Sequence, residues 1–219
     1  MILNVYKPAG ITSHDVVDKV RSLSNVKKVG HAGTLDPFAT GVLLILVGRG
    51  ATRQSDELME LEKEYQAVIK LGAESSTADR DGVVTEVNVE REIPDRNEVA
   101  HVASQFEGDI EQIPPMHSAV KVEGKKLYEL AREGQEIVRD PRQVYIEQIE
   151  VAAYEYPFVT LRITCHSGVY VRTLAEDIGD LLGTSAYLET LERTRVGEYQ
   201  VSDAQSLEAL SYTTIEETN

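Results

Sequence analysis

The stretch Gly30 to Gly48, GHAGTLDPFATGVLLILVG, joins a loop punctuated by glycines to an unbroken apolar run. Val42 to Val47 is short, wholly apolar and closed by Gly48. Those features predict a strand buried on both faces rather than a helix. Asp36 precedes Pro37, which pushes its backbone out of the helical region into an extended or turn conformation. Gly30, Gly33 and Gly41 permit backbone angles and close approaches that a side chain would block. The stretch therefore predicts a shaped loop, anchored on a rigid central strand, that offers one short carboxylate to a cleft. A surface turn in which Asp36 bonds its own backbone is the plainer reading of the same residues.

Upstream, Ile2 to Tyr6 reads as a strand and Lys7-Pro8-Ala9-Gly10 as a turn. Thr12 or Ser13 can cap a helix reaching about Ser22, with Val16, Val20 and Leu23 on one face. Downstream, a helix is predicted near Thr52 to Leu61. A strand follows from Glu64 to Leu71, in which Tyr65, Ala67, Ile69 and Leu71 share a face. Tyr65 then sits either in the core with its hydroxyl bonded or at the edge of a cleft. A loop from Ser75 to Asp81 leads to a strand over Val83 to Val89, and Asp79 is either a second carboxylate near a site or one more polar loop residue.

Asp95 with Glu98 forms a capping box for a helix marked by Val99, Val102 and Phe106. Ser118 to Val122 reads as a strand, Glu123-Gly124 as a turn and Leu127 to Arg132 as a short helix. Val144 to Ala152 and Phe158 to Cys165 look like paired strands, with Cys165 a small core residue. Val169 to Arg172 resumes a strand, placing Tyr170 and Arg172 on one face. Thr173 then starts a helix with Leu174, Ile178 and Leu181 inward. Strands come singly and in hairpins between helices without regular βαβ alternation. The fold class expected is α+β: one mixed, mainly antiparallel sheet with helices on its faces, in a single domain over 1–219.

The 219 residues carry one cysteine, Cys165, which excludes an internal disulfide framework and fits a reducing, cytoplasmic setting. No apolar run approaches membrane-spanning length. His14, His101, His117 and His166 lack metal-ligand spacing, so no metal is expected. No phosphate-cradling glycine loop is present, so no cofactor is expected. The net charge of −15 argues against a polyanionic partner. Phosphate contacts need only local basic patches, however. Candidates are Lys27 with Lys28, Arg49 with Arg53, Lys121 with Lys125 and Lys126, Arg139 with Arg142, and Arg193 with Arg195.

GHAGTLDPFATGVL resembles the catalytic motif of the TruB family, the tRNA pseudouridine-55 synthases. KEYQAVIKLG (63–72), IPPMHSAVKVEGKKLYELAREG (113–134), HSGVYVRTLAEDIG (166–179) and LERTRVGEY (191–199) continue that resemblance in the family's order. The resemblance implies a pseudouridine synthase catalytic domain with a central cleft. It implies that uridine 55 in the T loop of tRNA is isomerised to pseudouridine; a monomer with no obligate protein partner is expected. Asp36 would be the nucleophile and Arg172 its ion-pair partner. Tyr65 would pack on the target uracil, and Tyr170 and Leu191 would line the base pocket. The target must be swung out of the loop, and His31 resembles the residue that fills the vacated stack. Family members often carry a C-terminal RNA-binding domain, which this chain is expected to lack. Two other readings compete: a non-catalytic RNA-binding or tRNA-folding module, and an Asp-dependent hydrolase or phosphotransferase unrelated to RNA.

Overall fold

The computed structural model describes residues 1–116, 118, 120–122, 124–127, 130, 134–135 and 137–210. They fall into two compact units, Met1–Gln66 with Leu191–Asn219, and Ala67–Thr190. A large, mainly antiparallel sheet supplies strands to both, so the α+β class expected from the sequence holds. Strand β4 spans Lys63–Leu71 and strand β12 spans Ala186–Val196.

In the first unit, β1 (Ile2–Lys7) pairs antiparallel with β3 (Thr40–Val47) along its whole length, from Ile2 opposite Leu46 to Lys7 opposite Gly41. Strand β2 (Val29–Ala32) pairs antiparallel with β3 as well. Helix α1 (Ser13–Ser24) opens on Thr12, whose hydroxyl accepts from the Asp15 N–H while the Asp15 carboxylate accepts from the Thr12 N–H. That reciprocal cap satisfies two of the amides a helix start leaves orphaned. Val16, Val17 and Val20 of α1 pack on Leu3, Val5, Leu43 and Ile45. The opposite face of β3 packs Val42, Leu44 and Leu46 against Leu58 and Val196. Burial on both faces is why the run could be apolar throughout.

Two short helices, α2 (Gly48–Thr52) and α3 (Ser55–Glu60), replace the single helix expected near Thr52 to Leu61. His31 lies in β2, opposite Ile45, rather than in the loop that carries Asp36. The eleven-residue β12 had no counterpart in the sequence reading. Its Glu192 and Arg193 run parallel to Thr40 and Gly41 of β3. Two further short strands, β13 (Tyr199–Gln200) and β14 (Gln205–Ser206), pair with β12 and β1.

In the second unit, β10 (Arg142–Glu155) and β11 (Phe158–Cys165) form the expected hairpin, with β7 (Gly108–Gln112) on the outer side of β10. Cys165 is buried, as its alternation predicts. Helix α4 (Arg96–Ser104) is capped by Asp95, whose carboxylate accepts from the Glu98 N–H. Strand β5 (Ala73–Ser75) pairs with a β6 of only three residues, Val84–Glu86, shorter than expected. A hairpin joins β8 (Lys121–Val122) to β9 (Lys125–Lys126). The helix expected over Leu127 to Arg132 falls partly outside the described residues, as does His117.

Helix α5 (Val171–Leu181) begins two residues earlier than expected. Tyr170 and Arg172 therefore do not share a strand face: Tyr170 is the N-cap, and Arg172 is buried in the first turn. Leu181, expected inward, is exposed, because the buried stripe is centred on Val171, Ala175, Ile178 and Leu182 and leaves Leu181 at its edge in the last turn.

Candidate active site

The Asp36 loop is held from three sides. The Asp36 carbonyl accepts from the Ala39 N–H at 3.1 Å, a tight turn with Pro37 at its favoured second position. The Pro37 carbonyl accepts from the Gly10 N–H at 2.8 Å and from Lys7 Nζ at 3.1 Å. Ser13 Oγ both donates to the Leu35 carbonyl, at 3.0 Å, and accepts from the Leu35 N–H, at 2.9 Å. Arg193 closes the third side. Its Nε donates to the Val42 carbonyl at 2.7 Å, its Nη2 to Gly33 at 3.1 Å and its Nη1 to Thr34 at 3.5 Å.

Asp36 itself is half-buried, while Leu35, Phe38 and Ala39 around it are buried. Gly41 has a φ of +103°, and a Cβ there would lie 2.2 Å from the Arg193 carbonyl oxygen. Only glycine fits, which explains that residue of the motif.

Lys7 occupies a core position because Leu3, Val5 and Lys7 share one face of β1. Its second acceptor is the Pro8 carbonyl at 2.9 Å. Burial pulls the Lys7 ammonium down to about 8; the Asp36 carboxylate opposes that, Arg193 adds to it, and Asp15 opposes it. The turn expected at Lys7-Pro8-Ala9-Gly10 thus opens on a buried clamp, Lys7.

Arg193 was expected beside Arg195 in a basic patch. The structure corrects that: Arg193 is 1% exposed, and Arg195 pairs with Glu62. His31 Nδ1 is buried with no hydrogen-bond partner among the described residues. Burial, then the charges of Arg193 and His14, hold the ring's pKa below the usual histidine value. Tyr65 of β4 and Leu191 of β12 are both buried, on neighbouring strands. The Thr194 hydroxyl donates to the Glu64 carboxylate at 2.8 Å, fixing that neighbourhood.

The second unit holds Tyr170 and Arg172. Buried Gln112 clamps the Tyr170 main chain, accepting from its N–H at 2.9 Å and donating to its carbonyl at 3.2 Å. Arg172 Nη1 lies 3.1 Å from Asp79 Oδ2, and both side chains are 5% exposed. Asp79 accepts on its other oxygen from the Thr77 hydroxyl, at 2.6 Å, and from the Asp81 N–H, at 3.1 Å. Asp79 is thus a buried, ion-paired carboxylate. A cavity of about 590 Å³ in this unit is lined in part by Ser76, Thr77, Arg139, Thr173 and Glu176. Burial pushes the Glu176 carboxyl up to about 7, with Asp177 and Asp180 adding to the rise, Arg172 opposing it and Glu74 adding to it. Among the described residues, no three His, Cys, Asp or Glu side chains are grouped as metal ligands.

Residues 21–171 match the model of the TruB family pseudouridylate synthase N-terminal domain. The chain belongs to the TruB family of pseudouridylate synthases. Residues 172–219 match the model of the tRNA pseudouridylate synthase B C-terminal domain. Tyr170 and Arg172 therefore straddle the junction of the two TruB matches.

Among relatives, tRNA pseudouridine synthase B of Clostridium tetani is 44% identical over 216 residues, covering 99% of this chain and 74% of the relative. The Chlamydia pneumoniae protein of the same name is 46% identical over 202 residues, covering 92% and 85%. Among solved structures, a Cbf5-Nop10-Gar1 complex is similar with a TM-score of 0.73 at 32% identity, covering 94% of this chain and 52% of that one. This TruB-family chain thus spans about half the length of that solved protein.

Proposed function

We propose that this chain converts uridine 55 of the tRNA T loop into pseudouridine. The bond between ribose carbon 1′ and the base nitrogen breaks, the base turns, and carbon 5 takes the nitrogen's place. The proton on carbon 5 leaves and the freed nitrogen gains one, so no redox partner or energy source is needed. Asp36 is the nucleophile that meets the electron-poor sugar or base. The single observation that carries this reading is the cradle around it: buried donors grip the backbone before and after Asp36. Such fixing of a reactive group is what a positional catalyst requires.

Arg172 is proposed as the counter-charge of that carboxylate. Its planar guanidinium has five donors, enough to serve Asp79 and a second acid. Tyr65 packs on the target uracil, and Tyr170 and Leu191 line the base pocket. His31 fills the stack that the flipped nucleotide leaves. Its lowered pKa supports that role, since a neutral ring substitutes better for a base. The acidic chain meets phosphate through local patches. Lys27, Lys28, Arg49 and Arg53 are exposed, and the Gly48 N–H bonds the Lys28 carbonyl at 2.8 Å, bringing the two pairs side by side.

The test incubates the protein, without added metal, with an unmodified tRNA transcript and maps pseudouridine by carbodiimide treatment and primer extension. Product at position 55 that vanishes in Asp36→Ala, with tRNA binding retained, is the expected result. Binding without product in the wild type would instead identify a non-catalytic RNA module.

A further inference from the structure

Arg193 is among the largest fully buried side chains of the molecule. Among the described residues its three hydrogen bonds all end on neutral main-chain oxygens, those of Gly33, Thr34 and Val42. A buried guanidinium whose acceptors are all uncharged is an expensive way to hold a loop. The placement of those acceptors explains it. Gly33 and Thr34 stand just before Asp36, and Val42 stands just after the loop closes. One rigid fork therefore spans both ends of the segment. The backbone of Arg193 runs beside Gly41 in parallel register, and the neighbouring Thr40 hydroxyl donates to the Leu191 carbonyl at 3.4 Å. Leu191, two positions earlier, shares its face of β12. The strand proposed to line the base pocket is thereby tied to the loop that carries the nucleophile.

We propose that Arg193 is the positioning residue of this site: one side chain sets the path of the Asp36 loop and the electrostatic surroundings of His31. The inference rests on the reading of Asp36 as nucleophile and His31 as wedge. It assigns Arg193 no contact with RNA. The charged or titratable groups that act on the His31 ring are Arg193 from β12 and His14 from α1, and both oppose its protonation. Fork and charge are separable, because lysine keeps the charge without the planar three-way geometry, while methionine loses both.

The experiment compares wild type, Arg193→Lys and Arg193→Met by two readouts. One is kcat and KM for pseudouridine formation on an unmodified T stem-loop RNA. The other is the NMR titration of the His31 ring, with His31→Gln used only to assign the signal. Arg193→Lys should lose about tenfold in kcat with KM changed by less than about threefold, and His31 should titrate as in wild type. Arg193→Met should lose about a hundredfold in kcat, and His31 should titrate at higher pH.

A purely structural arginine would lower thermal stability in both variants without moving the His31 midpoint in either. That outcome, or a kcat within threefold of wild type in Arg193→Met, overturns the proposal. If Arg193→Met does not fold, Arg193→Lys decides: a tenfold kcat loss at a wild-type melting temperature supports the proposal, and unchanged kcat, or a kcat loss that only follows lost stability, overturns it. Wild-type protein that makes no pseudouridine defeats the functional reading, while the His31 titration still judges Arg193.

Discussion

The Asp36 loop and the start of α5 solve the same problem, a buried charge, with opposite means. Around the loop the buried charges are cations, Lys7 and Arg193, and their hydrogen bonds end on main-chain carbonyls. At the start of α5 the buried cation, Arg172, has the Asp79 carboxylate in contact, and its charge also acts on Glu176, which feels Asp177 and Asp180 as well. Carbonyl acceptors make a cation a clamp on backbone, so the first region is fixed in shape. A carboxylate partner fixes one side chain against another, so the second region is fixed in charge. The contrast predicts that the first should fail by geometry and the second by electrostatics.

The sharpest way to break the first region needs no change of charge. Gly41→Ala puts a Cβ against the Arg193 main chain at a backbone angle that alanine resists. It should cost more than about 4 kcal/mol, read as loss of a cooperative thermal transition. A transition within a few degrees of wild type would show that β3 and β12 can part freely.

The second region should break through its ion pair. Asp79→Ala leaves Arg172 without that carboxylate and also strips an acceptor from the Thr77 hydroxyl and the Asp81 N–H. A loss of roughly 3 kcal/mol by urea denaturation is expected. Asp79→Asn, which keeps the shape, should recover less than half of it. Full recovery would mean that the hydrogen bonds, not the charge, hold this region.

Lys7 tests the claim that the first region buries charge at a cost. Its folded-state pKa of about 8 lies below the ordinary 10.5. Between those values the unfolded chain holds the proton that the folded chain has lost, so stability rises with pH across that window. Relative to Lys7→Met, wild type should gain about 2 kcal/mol between pH 7 and pH 10. Parallel stability curves for the two proteins would show that the ammonium is not desolvated in solution.

How much of this was legible in the chain differs between the regions for the same physical reason. The Asp36 loop, β3 and the cap of α1 announce themselves locally, through Asp-Pro, paired glycines, an unbroken apolar run and Thr12 three residues before Asp15. The clamp does not. Lys7 could have been placed by noticing that Leu3, Val5 and Lys7 alternate. Arg193, in contrast, lies 151 residues from Val42, whose carbonyl it binds, and within LERTRV a buried arginine reads like an exposed one. Period two across Val169 to Arg172 suggested a strand, but the Gln112 amide, 58 residues away, holds both main-chain groups of Tyr170 at the residue where the helix begins. Tertiary hydrogen bonds of that kind leave no periodic trace.

Glu176 carries the smallest expected effect and discriminates best between the two kinds of fixing. Its folded-state pKa, about 7, stands above the ordinary 4.5, with burial the leading cause and the neighbouring acids next. The folded chain therefore holds a proton that the unfolded chain releases between those values. Stability is greatest at or below about pH 4.5 and is lost as pH rises towards 7 and beyond. Replacing Glu176 with glutamine removes the ionisation while keeping the shape. Because the group keeps some solvent contact, the gain is discounted to about 1 kcal/mol. Glu176→Gln should thus melt higher than wild type at pH 8 and equally at pH 5. In the first region the analogous gain would fall at alkaline pH and belong to a lysine. Should Glu176→Gln be equally stabilised at both pH values, packing rather than charge would explain it, and the second region would join the first as a place held by shape.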